Sequence, residues 1–328
     1  MKKICYLFFS AFLIFSCGNE IKNKDAKVEV EQGTEIPKTD QQTETKEEIQ
    51  NKVPEVASQF TLESLLGFWV GNFVPDNGEE DKTLIIDDGY IWDRTNKITI
   101  SIDKITDKFV MGHSIVAGND RPFRGTVEKL DNPDRYLFQV KEPGNNKYDG
   151  EFSFTFSEDE NKLIGKWTAY KNIEIKNRKY MLNPKKFTYN PDIMLEDSKR
   201  YMDWNKKIET KQRMEFEDNE FEEWIASEFA TATRLSYQIN ASNRLLTKSE
   251  VENLKKGDLT IIRNCIYARH GYSFKNRPLR VFFDAQTWYI PVHSNIKNDF
   301  TEIEKQNIQL LLKYEKNAAE YYDSFGRG

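Results

Sequence analysis

Lys97-Ile-Thr-Ile-Ser-Ile-Asp103 alternates apolar and polar side chains without a break, so Ile98, Ile100 and Ile102 face one way and Thr99, Ser101 and Asp103 the other. Phe152, Phe154 and Phe156 repeat the pattern. A period of two marks a half-buried strand. Comparable β-prone runs recur at 66–73, 83–92, 108–116, 122–129, 135–141, 148–156, 162–171 and 178–187. Turn-forming clusters such as Asp131-Asn-Pro-Asp134 and Pro143-Gly-Asn-Asn146 separate them. No gap is long enough for a parallel crossover, so residues 60–189 are expected to form an antiparallel meander that closes into a barrel or folds into a sandwich.

The whole chain has 328 residues, 48 basic against 53 acidic side chains and a net charge of −5. That length suggests more than one domain. Its 22 Phe, 15 Tyr and 6 Trp exclude a wholly disordered protein. Nucleic acid is excluded as a partner, because no Lys/Arg-rich block is free of nearby acids. Three cysteines cannot build a disulfide framework.

At the N-terminus, Lys2 and Lys3 precede an apolar run from Ile4 to Phe15, too short to span a bilayer and suited to an export signal over residues 1–16. Ile14-Phe-Ser-Cys17 resembles the lipobox of bacterial lipoproteins. The resemblance implies that Cys17 is lipidated and anchors the chain to a membrane; several acyl chains on one cysteine would hold it stably. Gly18, in place of the Asp that retains many Gram-negative lipoproteins in the inner membrane, points to the outer membrane. Residues 17–59 contain no Phe, Tyr or Trp and read as a disordered tether. The start of the first strand, Gly67-Phe-Trp69, resembles the Gly-x-Trp opening of lipocalin-type barrels. A lipocalin-like meander with an empty interior would carry a small apolar ligand, whereas one filled by its own Phe and Ile would not. His113 stands alone in its strand, and no set of metal ligands converges on it.

Residues 190–245 are expected to form a helical, acidic connector, because Phe221, Trp224, Ile225 and Phe229 fall at helical spacing. Asn240-Ala-Ser-Asn-Arg244 is a loop. Beyond it, Thr247 with Glu250 and Thr301 with Glu304 are capping boxes. They bracket four short helices: about 248–255, 258–269 with Gly271 as a left-handed cap, one begun by Pro278, and a last one striped by Ile303, Asn307, Leu310, Leu311, Tyr314 and Ala318. Asn307 is a polar residue on an apolar stripe. Cys265 reads as a buried small residue.

Arg263-Asn264, Tyr267-Ala-Arg-His-Gly271, Phe282-Phe-Asp284, Trp288-Tyr-Ile-Pro291 and Glu304-Lys-Gln-Asn307 are similar to the YARHG domain, a small extracytoplasmic domain of bacterial proteins. The resemblance covers about 245–317; the domain is placed at 246–328, and the remainder resembles lipoproteins of Bacteroidetes-type bacteria. It implies a location and a domain rather than a reaction. The expected class is α+β, a β-barrel or sandwich followed by a small helical domain.

Two readings of Arg263, Asn264, Tyr267, Arg269, His270, Asp284, Trp288, Tyr289 and Asn307 follow. In the structural one, the Asn side chains bond each other or backbone carbonyls, and Arg263 or Arg269 forms a bidentate pair with Asp284. In the functional one they line a surface site for peptidoglycan or another envelope glycan, or for an envelope protein. A third reading makes His270 the general base of a hydrolase, oriented by Asp284, with Ser273 nearby, although no activated nucleophile is apparent. Neither a catalytic set, nor a metal site, nor a cofactor motif emerges. Binding or a structural role is therefore expected before catalysis.

Overall fold

The computed structural model describes residues 60–321 except 81, 88, 132–134 and 217–219, and only the backbone of 319–321. Cys17 and the rest of the leader and tether lie outside the described residues, as does most of the Asp131–Asp134 turn.

Among the described residues twelve strands run in chain order: β1 (Gly67–Pro75), β2 (Leu84–Asp87), β3 (Tyr90–Trp92), β4 (Asn96–Ile105), β5 (Phe109–Val116), β6 (Asn119–Lys129), β7 (Arg135–Lys141), β8 (Gly150–Ser157), β9 (Lys162–Ala169), β10 (Asn177–Lys185), β11 (Met202–Glu215) and β12 (Phe221–Thr231). Eight of them, β1 and β4 to β10, form a closed antiparallel barrel in which β1 pairs with both β4 and β10. The run expected as one strand at 83–92 is instead the small hairpin β2–β3, an excursion that leaves the barrel between β1 and β4.

Alternation decides the interior. Trp69 pairs with Ile100, Ile100 with Ser114 and Ser114 with Arg121, so this set shares the inward face. Phe138 and Phe154 stack with ring centroids 4.7 Å apart, and Phe152, Leu163 and Leu182 complete a core from which water is excluded. Gly71, Gly112, Gly125, Gly150 and Gly165 make room for these side chains: a Cβ on any of them would lie within 2.5 Å of a neighbouring backbone or side-chain atom. One end is sealed by the 3₁₀ turn Leu62–Leu65, with Trp69 Nε1 donating to Leu65 O at 2.8 Å and Phe60 against Tyr136 and Phe156. The barrel is therefore filled over most of its length. An apolar carrier would need that volume empty.

The expected helical connector is a correction. The centre of residues 190–245 is extended: β11 and β12 form a long two-stranded ribbon on which Phe221, Trp224 and Ile225 are exposed. In a strand residues four apart share a face but residues three apart do not, so Trp224 parts from Phe221 and Ile225, and the helical spacing here has no core to serve. A basic arm (Lys206, Lys207, Lys211, Arg213) meets an acidic one (Glu222, Glu223, Glu228), with Arg213 directly opposite Glu223. Opposite charges across a ladder, with β-prone residues at its centre, favour a hairpin over a helix. Among the described residues of this stretch only the 3₁₀ turn Arg234–Tyr237 is helical.

Four helices follow: α1 (Lys248–Val251), α2 (Lys256–Arg269), α3 (Arg277–Asp284) and α4 (Glu302–Tyr321). Both capping boxes form: Thr247 N donates to Glu250 at 2.7 Å, and Thr301 N to Glu304 at 3.0 Å while Glu304 N donates to Thr301 Oγ1 at 3.2 Å. Pro278 lies in the first turn of α3 and Gly271 ends α2 with φ +69°. α2 starts two residues before the expected 258, so Asp258 lies inside its first turn, where it accepts Thr233 N at 2.6 Å and Thr233 Oγ1 at 3.0 Å. Among the described residues no helix is long and apolar enough to cross a membrane.

The helical region sits on the open rim of the barrel. The β5–β6 hairpin turns through Ala117 and Gly118, both with positive φ, the geometry of a tight two-residue turn. Gly118 N donates to Ser273 Oγ at 2.9 Å, and a Cβ there would strike Lys275. On the next strand Lys97 N donates to Asp284 Oδ2 at 2.8 Å, and its ammonium to the carbonyls of Gln286 and Tyr289 at 2.7 and 3.1 Å.

Candidate functional site

The residues marked by the sequence are mostly internal. Tyr289 is 1% exposed, Asn307 1%, Arg269 3%, Asn264 6% and His270 7%, which leaves little of them for a surface ligand. Each has a partner. Asn264 Nδ2 donates to Thr260 O at 2.7 Å. Asn307 Nδ2 donates to Ala241 O and Arg244 O at 2.8 and 2.7 Å, while its Oδ1 accepts Leu246 N at 2.9 Å. The two asparagines therefore bond backbone and not each other, and the polar residue on the α4 stripe is what holds the 240–246 loop.

The expected Arg–Asp284 pair does not form. Arg263 lies on the face of α2 turned to α4 and grips Glu315 through Nε and Nη2 at 2.8 and 3.1 Å. Arg269 clamps Ile193 O at 2.9 and 2.7 Å and reaches Ser242 Oγ at 3.1 Å, fastening the chain that leaves the barrel. His270 is not oriented by Asp284 either; its Nε2 lies 2.8 Å from Glu304 Oε2, and its ring stacks on Tyr189 with centroids 4.3 Å apart. Tyr189 OH donates to Glu304 Oε1 at 3.0 Å. Burial pushes the Glu304 carboxyl up, but hydrogen bonds from His270, Thr301 N and Ser242 outweigh it and hold it below its ordinary value. Ser273 is a buried acceptor at the rim, so the hydrolase arrangement is absent from these residues.

Gly271 closes the motif for two reasons. Its left-handed φ suits glycine, and a Cβ would lie 2.5 Å from Val292. Its carbonyl accepts Val292 N and His293 N at 2.8 and 3.0 Å. Tyr267 meets Phe300 edge-on at 5.0 Å, and Trp288 meets Tyr289 at 6.3 Å. Cys265 is buried, and burial raises its thiol pKa. His113 lies on the barrel exterior between Asp103 (2.7 Å) and Asp120 (2.9 Å), which together raise its pKa against the effect of burial.

Asp284 belongs to the junction. Its carboxyl is pushed up to about 6 by desolvation, against the Lys97 N–H and the charges of Arg280 and Lys97. An unfolded Asp titrates near pH 3.9. The native state therefore keeps its proton to higher pH, and stability from this group is full below about 4 and lost as pH rises through about 6. Asp284→Asn should remove that fall. Denaturation midpoints of wild type and variant, compared from pH 4 to 7, should diverge with rising pH, the wild type losing ground; parallel curves would refute the assignment.

Between barrel rim and helical region lies a cavity of about 620 Å³, the size of a small-molecule site. Its floor is made of the polar residues that continue the inward face of each strand: Asn96 before Ile98, Ser114 after Gly112, Arg121 before Phe123, Glu142 after Val140 and Arg178 before Tyr180. Lys275, Arg277 and Arg280, in and just before α3, form the opposite wall. Seven of the lining side chains are Lys or Arg and two are Glu.

Three of the seven cations are paired locally. Arg94 pairs with Glu174 at 2.7 Å, Arg121 with Asp149, and Arg277 with Glu174 at 3.5 Å. Arg178 and Arg280 are different. They are 9% and 7% exposed, and among the described residues neither has an ion-pair partner. Arg178 Nη1 donates to the carbonyls of Phe73 and Arg94 at 2.8 and 2.9 Å; Arg280 Nη1 donates to Lys275 O at 3.2 Å and its Nε has no partner. Burial lowers the Arg178 pKa to about 10, with Arg280 and Arg94 adding to the effect, so it is still cationic at neutral pH. Trp92 lies within 6 Å of the Arg94, Arg277 and Arg280 guanidiniums and shares their charge through its ring. Glu142 accepts Ser114 Oγ at 2.6 Å and Gly150 N at 2.7 Å, and burial raises its pKa.

Sequence reasoning missed this site because its residues come from eight strands, the loops between them and a distant helix. The available signal was local: five of the eight inward apolar stripes, those leading to Asn96, Ser114, Arg121, Glu142 and Arg178, end in a polar residue at the same end of the barrel.

The fold defines an α+β chain in which an eight-stranded antiparallel barrel carries a helical region on its rim. A YARHG domain is detected at residues 233–316. Thr233, where the matched span starts, donates through its backbone N–H and its hydroxyl to Asp258 of α2. No curated protein matches the chain. Among solved structures it is similar to a redesigned beta barrel, at 12% identity over 37% of this chain and 92% of that one, with a TM-score of 0.25.

Proposed function

We propose that this protein is a lipid-anchored binding module of the cell envelope, and that its ligand is an anion held between the barrel rim and the YARHG domain. The observation that carries the reading is the pair of buried guanidiniums, Arg178 and Arg280, which line a 620 Å³ cavity without an ion pair among the described residues; the carboxylates that bear on them, Glu79 and Asp93 on Arg178 and Asp284 on Arg280, act only at longer range. Removing a charge from water is costly unless it is paired, so a fold that retains two such groups gains from an anionic ligand. The envelope-glycan reading moves with the site, from the buried motif to this cavity. The motif is then the frame that holds α3 over the rim.

Titrating the protein at low salt with citrate should raise Tm, whereas neutral sugars should not. Saturation at a hundred times Kd contributes about 2.7 kcal/mol, or about 5–10 °C for a domain of this size. Arg280→Gln should cancel most of the rise, and an undiminished rise in that variant would refute the site. Anchoring through Cys17 is tested separately. Cys17→Ser should move the chain from the membrane to the soluble fraction, and continued membrane association would refute the lipid anchor.

A further inference from the structure

The lining also specifies what kind of anion the cavity takes, an argument that rests on the anion-binding reading above. Three features of the cavity bear on it.

The positive groups are planar forks. With Nη1 committed to backbone carbonyls, Arg178 and Arg280 still offer N–H groups on their other edges, an arrangement that matches the two oxygens of a carboxylate. A phosphate is commonly cradled by backbone N–H groups at a helix N-terminus. The one helix start in this wall, that of α3, is already taken: Asn276 Oδ1 accepts Leu279 N at 3.1 Å, and Pro278 has no N–H to give.

Beside the cations stand acceptors. Asn96 is 6% exposed, and its Oδ1 has no partner. It converges with Arg178 on one atom, since Asn96 Nδ2 and Arg178 Nη1 both point to Arg94 O, at 3.5 and 2.9 Å. Glu142 presents a second acceptor in the floor. A simple inorganic anion would leave Asn96 Oδ1 unmatched and make no use of the remaining lone pairs of Glu142, whose two oxygens already accept Ser114 Oγ and Gly150 N. A ligand with hydroxyl donors next to its acid would satisfy them, and an unmatched buried acceptor costs about 1–3 kcal/mol.

At the rim, Tyr148 is 44% exposed and lines the same cavity; Lys147 Nζ lies 4.6 Å from its ring centroid, and an exposed aromatic ring of this kind suits contact with a sugar ring.

We infer that the ligand is a short acidic saccharide whose carboxylate is held by Arg178 and Arg280, with hydroxyl groups donating to Asn96 and Glu142 and a ring against Tyr148. The acid end lies deepest, and the remainder of the saccharide leads out past the rim.

Isothermal titration of the full-length protein at low salt tests this with four probes: digalacturonic acid, neutral lactose, glucose 6-phosphate and citrate. Digalacturonic acid should bind at least tenfold more tightly than each of the others. Asn96→Asp should abolish that preference by placing a carboxylate beside Arg178, and circular dichroism should show it folded, since the substitution keeps shape and neutralises a buried charge. Tyr148→Ala, at an exposed position, should weaken the uronate severalfold and leave citrate unchanged. Tighter binding of citrate or glucose 6-phosphate would overturn the acidic-saccharide assignment and leave the anion site standing. Equal binding of lactose, or no binding by any probe, would overturn both. Unchanged uronate binding by folded Asn96→Asp would overturn the placement of the acid.

Discussion

Glu304→Ala should destabilise the protein by about 3–5 kcal/mol, because it removes one side of a buried ionic and hydrogen-bonded cluster and leaves the other side behind. Glu304 is fully buried. Its two carboxylate oxygens take Tyr189 OH, His270 Nε2 and Thr301 N at 3.0, 2.8 and 3.0 Å. The side chain therefore joins three places at once: the strand exit from the barrel, the end of α2 and the start of α4. Its loss also removes the capping box that begins α4. At about 2–4 °C per kcal/mol for a domain of this size, Tm should fall by about 6–20 °C. Glu304→Gln keeps an acceptor for Tyr189 and should lose less than half as much. A Glu304→Ala loss under about 1 kcal/mol in urea denaturation would show that the cluster does not hold the domain together.

Gly112→Ala should cost about 3 kcal/mol or more, at the upper end for overpacking. A Cβ at this position would lie 1.8 Å from Ser101 O, a backbone atom of the neighbouring strand, with Phe123 also in the way. No rotamer can relieve a clash with a ladder carbonyl; β4 and β5 would have to part where their register already shifts, between Ile102 and Lys104. Gly144→Ala is the comparison. Its φ of +84° is strained for alanine, but only Tyr170 at 3.7 Å is near, so the cost should be about 1 kcal/mol from backbone conformation alone. Equal losses in the two variants, read as denaturation midpoints, would mean that the barrel relaxes around Gly112.

Much of the architecture was readable from local pattern. Alternation in 97–103 and 152–156 specified strands, and the absence of crossover lengths made them antiparallel. The Thr-x-x-Glu boxes and Gly271 specified helix ends. These signals are legible because they act over one to four residues, the range in which backbone and side chain compete directly. The β11–β12 ribbon was misread for the complementary reason. Phe221, Trp224, Ile225 and Phe229 satisfy a helical period by their spacing, but that period has meaning only when a core receives the face, and here the side chains are largely solvated.

The motif divides in the same way. That Tyr267-Ala-Arg-His-Gly271 matters was evident from the sequence, and so was the left-handed end at Gly271. Who partners whom was not. Arg263 meets Glu315 across 52 positions, Arg269 meets Ile193 O across 76, and Lys97 N meets Asp284 across 187. Such pairs are chosen by which helix faces which neighbour, and local spacing carries no record of that.

By itself the sequence determined the strand and helix content of the barrel and the C-terminal region, the helix ends, and the domain that residues 233–316 match, because each is set by interactions between near neighbours in the chain. Tertiary structure alone decided that the barrel is filled below and open above, that the motif residues are buried struts, and that Arg178 and Arg280, 102 positions apart in the chain, line one cavity. The physical reason is that burial and unpaired charge belong to a place in space, and that place exists only once eight strands have closed and the helical region has settled on their rim.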